Sequence, residues 1–293
     1  MTTTAPREAR EPGSWVARVI APDVATLPVL WHLKASHYNE KARWALDHKR
    51  VPHIRRAVTP PRHRAIAPRL SAGRTFPVLV LDGVAIGDST RIIEALERRY
   101  PEPPLYPADP DDRRRALELE EFFDEELGPD VRRIMFDALF ADPELFLATL
   151  MPDLGGRRRR AALVGFPLLR GGFRAAFAID EQTVDLGWER VHAACERFHT
   201  ELGPRGYLVG GSFTVADLTL AALISPAACP DQFPYPQPQR NHPLLAPLHE
   251  LLAESGLLAW ARQIYARHRG PSSEVAPQPG RTDRRFALAW RRR

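Results

Sequence analysis

Cysteine is almost missing from this sequence: Cys195 and Cys229 are the only two among 293 residues. Both lie in apolar surroundings, HAACERF and SPAACP, which suits buried inert thiols rather than a redox pair and excludes a disulfide scaffold. Long apolar runs are missing too, and none approaches the ~20 residues of a membrane-crossing helix. The N-terminal stretch MTTTAPREAREPGSW has no apolar core of a secretory signal, so a cytoplasmic protein is expected. A charge of one sign is lacking once the C-terminal end is set aside. Lys+Arg (41) exceed Asp+Glu (36) by +5, yet residues 281–293 (RTDRRFALAWRRR) alone hold six arginines against one aspartate. The rest of the chain is neutral, which argues against nucleic-acid binding by the body, because counterion release needs clustered cations. No phosphate-cradling glycine loop exists, since Gly210-Gly211 lacks the Lys-Ser/Thr that would follow. The histidines His192/His199 and His242/His249 are seven residues apart, the wrong spacing for a ligand pair, so no metal is expected.

What remains is an ordinary globular composition, 44% hydrophobic and 26% charged. A chain of about 300 residues buries roughly 75% of its unfolded surface and divides into about two domains. Residues 1–25 read as a flexible arm. From there the pattern is strand at Leu27–Leu33, helix at Glu40–Lys49, strand at Pro52–Val58 and helix at Arg62–Leu70. Two further strands, Phe76–Leu81 and Val84–Ile86, flank Asp82-Gly83, a strong hairpin signal. A helix over Ser89–Tyr100 completes an α/β domain at 26–101, with a parallel strand–helix–strand unit at its start.

A proline-rich linker at 102–109 (EPPLYPAD) separates this domain from a region, 110–270, that is helical in pattern. Its clearest helix start has Thr214 as N-cap and Asp217 closing a capping box, with Phe213 and Leu218 at the staple positions. The segment near 141–180, with Arg157–Arg160 and Gly171-Gly172, reads as extra helices or an insertion. Residues 271–293 read as a basic, disordered tail whose Phe286, Leu288 and Trp290 offer contacts to an unknown partner.

Three local features bear on chemistry. Ser36, in Ser36-His37-Tyr38-Asn39, precedes the first helix, where free N–H groups and the helix dipole favour an anion. A thiol of pKa ~8.5 is about 3% ionised at pH 7, and lowering it by two units takes roughly 2.7 kcal/mol. A serine hydroxyl at a helix start is suited to supply that, although taken alone it is more often merely a cap. Tyr38 is the rival hydroxyl. Phe76-Pro77 enters the third strand, where a cis bond would offer the Phe76 backbone to an extended ligand. Asp88-Ser89 opens the next helix, with Ser89 as cap or as holder of a ligand carboxylate and Asp88 as a partner for an amine. Glu118, Glu120, Glu121, Asp124, Glu125 and Glu126 read mainly as a solvated helix face, with a few of them lining the cleft between the domains.

Taken in order, Ser-x-Tyr after the first strand, Phe-Pro-Val-Leu, Asp-Ser, a proline linker and Phe-Thr-Val-Ala-Asp resemble the serine/cysteine-type glutathione S-transferases over about residues 27–265. The resemblance implies a thioredoxin-like N-terminal domain followed by an all-α domain. It implies that Ser36 matches the catalytic serine or cysteine, and that Phe76 and Pro77 match the backbone-pairing residue and cis-proline. Asp88 and Ser89 match the pair that holds the γ-glutamyl group, and Arg74 lies where a loop approaches the glycyl carboxylate. The implied co-substrate is glutathione, with a small electrophile as second substrate and a homodimer as assembly. His37 and Asn39 depart from the family's proline and second cysteine. A non-catalytic glutathione-binding or interaction protein and a glutathione-dependent thiol reductase stand as alternatives.

Overall fold

The first apolar run condenses into strand β1 (Val29–His32), and a four-residue turn leads into helix α1 (His37–His48). The computed structural model describes residues 27–70 and 73–275; the N-terminal arm and the arginine-rich end with Phe286, Leu288 and Trp290 lie outside the described residues. Strand β2 (Ile54–Ala57) returns parallel to β1, from Val29↔Ile54 to His32↔Ala57. Helix α2 (His63–Leu70) follows, then a hairpin of β3 (Val78–Leu81) and β4 (Val84–Gly87). Its turn residues Asp82 and Gly83 both have positive φ, 49° and 82°, as a two-residue hairpin matched to strand twist requires. The sheet order is β2-β1-β3-β4, with β3 antiparallel to both neighbours. Alternation along β1 sends Leu30 into the main core and Trp31 toward a smaller cluster around Ala67, Phe76 and Val78. Helix α3 (Ser89–Arg99) packs Ile92, Ile93 and Leu96 into the main core.

The strands are shorter than the apolar runs suggest, because turns at both ends draw residues out of the ladder. Helix α1 starts three residues earlier than expected, since Ser36 caps it. The proline linker is not a free spacer: Leu105 and Tyr106 are buried, and Leu105 O accepts a hydrogen bond from Val215 N at 2.9 Å.

The remaining described residues form helices α4 (Pro110–Phe122), α5 (Gly128–Leu139), α6 (Pro143–Leu150), α7 (Gly156–Val164), α8 (Phe166–Phe177), α9 (Glu181–Glu201), α10 (Val215–Ala228), α11 (Ala246–Glu254) and α12 (Leu257–His268). A π-helical turn, Phe123–Leu127, joins α4 to α5. Helix α10 (VADLTLAALISPAA) is apolar on all sides and therefore runs through the middle of the core. Its capping box forms as the spacing predicts, with Thr214 N donating to Asp217 Oδ2 at 2.9 Å. Asp217 also accepts from Leu208 N at 2.9 Å, and burial pushes its carboxyl up to about 6. Phe213, expected to pack as a staple, stacks on His268 (centroids 4.3 Å, 9°) and on Trp44, so it joins α10 to α12 and α1. The 141–180 segment supplies α6, α7 and α8.

One expectation is overturned at the C-terminal side. Residues 271–275 are not tail: His53 pairs with Glu274 in a parallel bridge, and Ser273 N donates to Asp47 Oδ1 at 2.8 Å. The anchor is a buried ionic network. Arg269 Nε lies 2.7 Å from Glu40 Oε1 and its Nη1 2.8 Å from Asp47 Oδ2, while Arg43 and Arg55 complete the pairing of the same two carboxylates.

Candidate functional site

A cavity of about 910 Å³ opens between the α/β domain and the helices. Ser36, Tyr38, Phe76, Pro77, Asp88 and Ser89 all line it, whereas Arg74 is exposed and is not among the lining residues. The sequence motifs therefore converge from three different loops. The node that joins two of them is Asn39, a fully buried side chain on the first turn of α1. Its Oδ1 accepts from Leu33 N at 3.0 Å, and its Nδ2 donates to Ser36 Oγ at 2.7 Å and to Phe76 O at 3.1 Å. Asn39 N also donates to Ser36 Oγ, at 3.4 Å.

These bonds settle the role of the Ser36 oxygen, which accepts from both Asn39 donors. Among the described residues the Ser36 hydroxyl has no acceptor of its own, so its proton is available to the cavity. The Phe76–Pro77 bond is cis. One lone pair of the Phe76 carbonyl is already engaged by Asn39, which qualifies the expectation that the whole Phe76 backbone is offered to a ligand.

At the start of α3 the cap is Asp88, not Ser89. Asp88 has φ 73°, and its carboxylate accepts from Thr90 N at 3.0 Å and Arg91 N at 3.2 Å. A non-glycine residue in that region is strained by roughly 1–3 kcal/mol, held by its surroundings. Ser89 then becomes the first helical residue, buried, with a hydroxyl that meets no partner among the described residues.

Beneath this end lies a group that takes two of the carboxylates in the 118–126 stretch off the solvated face. Lys41 is fully buried, with its Nζ 2.7 Å from Glu120 Oε1, in an ion pair with Asp124 and 2.9 Å from Thr90 Oγ1. Thr90 Oγ1 lies 2.7 Å from Asp124 Oδ2 and 3.1 Å from Glu120 Oε1. Burial works against the Lys41 ammonium, but Glu120 and Asp124 outweigh it and raise its pKa. Glu118, Glu121, Glu125 and Glu126 are exposed, Glu121 and Glu125 of them at the cavity.

Tyr38 is placed otherwise than Ser36. Its hydroxyl donates to Asp124 O at 2.6 Å, a carbonyl in the π-helical turn, and burial raises its pKa further. Gly128 is required just behind it, because a Cβ there would collide with the Tyr38 hydroxyl. His37 is buried with its Nδ1 3.0 Å from Leu223 O, so Nδ1 carries the proton and donates; burial, with the nearby Arg132 charge, pushes its pKa down to about 3.

Residues 30–104 match the family model described as the glutathione S-transferase N-terminal domain. Those residues therefore form a glutathione S-transferase N-terminal domain. Several solved structures share the fold of the chain. A beta-etherase from Sphingobium sp. strain SYK-6 aligns with TM-score 0.61 at 21% identity, covering 83% of this chain and 96% of its own. A glutathione S-transferase from Methylobacterium radiotolerans, in complex with glutathione sulfonate, aligns with TM-score 0.57 at 21% identity over 88% of this chain and 99% of its own. Another from Methylobacillus flagellatus, with glutathione bound, gives 0.51 at 18% over 82% and 95%. At these identities the likeness is one of fold. A search of curated protein sequences finds no match.

The far wall of the cavity comes from the helical region. It is formed by Met135, Phe136 and Leu139 of α5, Leu150 at the end of α6, and Leu168, Leu169, Phe173 and Phe177 of α8. The loop after α10 adds Phe233, Pro236 and Gln237. Neither Cys195 nor Cys229 lines it; both are buried, and burial raises both thiols, Cys229 to about 11. Among the described residues no group of three or more His, Cys, Asp or Glu is placed to hold a metal ion, and no helix is long and apolar enough to cross a membrane. Sequence reasoning missed Asn39 and Lys41 as parts of the site, since neither spacing nor periodicity marks a buried node. Lys41 carries one retrospective signal: it sits one turn from Tyr38 on the buried side of α1.

Proposed function

We propose that the cavity binds glutathione, that Ser36 holds its sulfur as thiolate, and that the thiolate attacks an electrophilic carbon held against the α5–α8 wall. The sulfur lone pair forms the new C–S bond; the bonding electrons leave with the displaced group or pass into a conjugated carbonyl, and the thiol proton goes to solvent. The observation that carries this reading is the Ser36 hydroxyl. Both Asn39 donors occupy its oxygen, so its hydrogen is left to a ligand, at the start of a twelve-residue helix whose dipole favours a negative charge. Phe76-Pro77 lies beside it for the tripeptide backbone, and Asp88-Ser89 for the γ-glutamyl end. Arg74, exposed in its turn, would reach the glycyl carboxylate only from outside the cavity. Dimerisation and a cytoplasmic location belong to the same proposal.

The reductase alternative is not favoured, because no cysteine reaches the cavity. The test is calorimetry with glutathione, together with the ultraviolet absorbance of the bound thiolate as a function of pH. Ser36→Ala is expected to lower kcat/KM for thiol conjugation by roughly 10²-fold, in line with losing one preorganised donor, and to return the bound thiol toward its free pKa. Saturable binding with an unshifted thiol pKa in the unaltered protein would leave a binding protein without the catalytic step.

A further inference from the structure

Three charged residues at the start of α5, Asp130, Arg132 and Arg133, differ in how their charges are met. Asp130 pairs with Arg133 and lies 3.6 Å from Arg190 Nη1. Arg132 lines the cavity and makes no hydrogen bond or ion pair with any described residue. Its Nε is covered and without an acceptor. What holds the guanidinium is aromatic: it stands 4.7 Å from the Phe177 ring centroid and 5.8 Å from that of Tyr38. Cation–π contact offsets part of the lost hydration but leaves the planar fork of donors unfilled.

The surroundings do not supply a counter-ion from within. Asp124 is engaged by Lys41 and Thr90, and Glu125 is exposed to solvent. His37 beside it is neutral, with Nδ1 donating to Leu223 O, so it adds no competing positive charge. Around the guanidinium the wall is apolar and aromatic, with Phe136 and Phe173 packed edge-on at 5.5 Å. A cavity of about 910 Å³ is near the top of the usual range of roughly 300–1,000 Å³, enough for a second molecule beside an extended tripeptide.

We infer that Arg132 anchors the acceptor substrate, and that this substrate is an aromatic or conjugated electrophile carrying a carboxylate. The carboxylate fills the vacant fork of donors while the ring lies among Phe136, Phe173 and Phe177. A planar, two-oxygen anion matches a guanidinium better than a point charge does, which is why an arginine serves here. The inference rests on the thiol-transfer reading for its reaction, but the anchor itself is a binding claim and is testable without turnover.

The experiment has two arms. In the first, the full chain is titrated with anilinonaphthalene sulfonate, an anionic aromatic dye, and with the neutral N-phenylnaphthylamine. Arg132→Met should weaken the anion by roughly 10- to 100-fold, the range for a hydrogen bond to a charged group, and leave the neutral dye within about threefold. Arg132→Lys should fall between, because it keeps the charge and loses the fork. In the second arm, ethacrynic acid (an aryl vinyl ketone with a carboxylate) and its methyl ester are conjugated with glutathione. The thiolate sulfur bonds to the vinyl carbon, the π electrons pass to the carbonyl, and water returns a proton to the neighbouring carbon. Arg132→Met should raise KM for the acid by the same factor and spare the ester and the glutathione affinity. Equal losses for charged and neutral ligands, or no loss for either, would overturn the anchor. Absence of conjugation with an intact dye selectivity would instead overturn the transferase reading and keep the anchor.

Discussion

On the sheet side of the cavity the polar groups named above are held by mutual hydrogen bonds: Asn39 joins the turn before α1 to Phe76, Asp88 caps α3, and Lys41 joins Thr90 to two carboxylates of the helical region. On the helical side the wall is mostly rings and aliphatic chains, with Thr149, Gln237 and Gln239 among them and the guanidinium of Arg132 held by an aromatic ring. The first wall is rigid because each buried donor or acceptor removed would strand another. The second is defined by volume, and packing of that kind tolerates exchange of one apolar side chain for another. A cavity divided in this way keeps one wall fixed while the other is open to change.

The largest expected break comes from Lys41→Met, which leaves Glu120 and Asp124 buried without their cation. Removing one partner of such a group costs about 3–5 kcal/mol, measurable by urea denaturation. Burial already raises the Glu120 pKa with Lys41 present, and without it that carboxyl rises further. A folded-state pKa above the unfolded value means the native state binds more protons, so stability falls as pH rises through that window. The deficit of the variant should therefore shrink on acidification toward the carboxylate range; a deficit constant from neutral pH downward would show that the carboxylates are not the cause.

Asn39→Ala comes next. It strands Leu33 N and Phe76 O and frees the Ser36 oxygen, at a cost of about 3 kcal/mol and with a drop in kcat/KM that follows Ser36. Unchanged activity in a destabilised variant would separate these hydrogen bonds from the chemistry. The smallest effect is expected from Tyr38→Phe, which loses one bond to the Asp124 carbonyl, about 1 kcal/mol by thermal unfolding, with glutathione conjugation within a few-fold. A loss as large as that of Ser36→Ala would transfer the sulfur contact to Tyr38.

Much of the first wall was legible because its information is local. Ser36 before a helix, Pro77 at a strand entrance and Asp88-Ser89 before another helix are short signals with a mechanism, and all lie on the cavity. Even there, which residue caps α3 turned on the positive φ of Asp88, which the sequence does not display. Which carboxylates of the 118–126 stretch turn inward was not legible for a different reason: Glu120 and Asp124 are interspersed in sequence with exposed carboxylates, and only the approach of Lys41 from α1 distinguishes them. The second wall was not legible at all. Arg132, Phe173 and Phe233 are brought together from α5, α8 and the loop after α10, and no spacing encodes that meeting.

Arg269 has a consequence for how the molecule comes apart. The residue following α12 is locked to two acidic groups of α1, nearly the whole described chain away. Were the helical half to melt first, Glu40 would retain Arg43 and Asp47 would retain Arg55, but each would lose its second cation inside a dry environment. Were the other half to melt first, Arg269 would lose both anions. Either order is penalised, so the two halves are thermodynamically bound to unfold in a single concerted step.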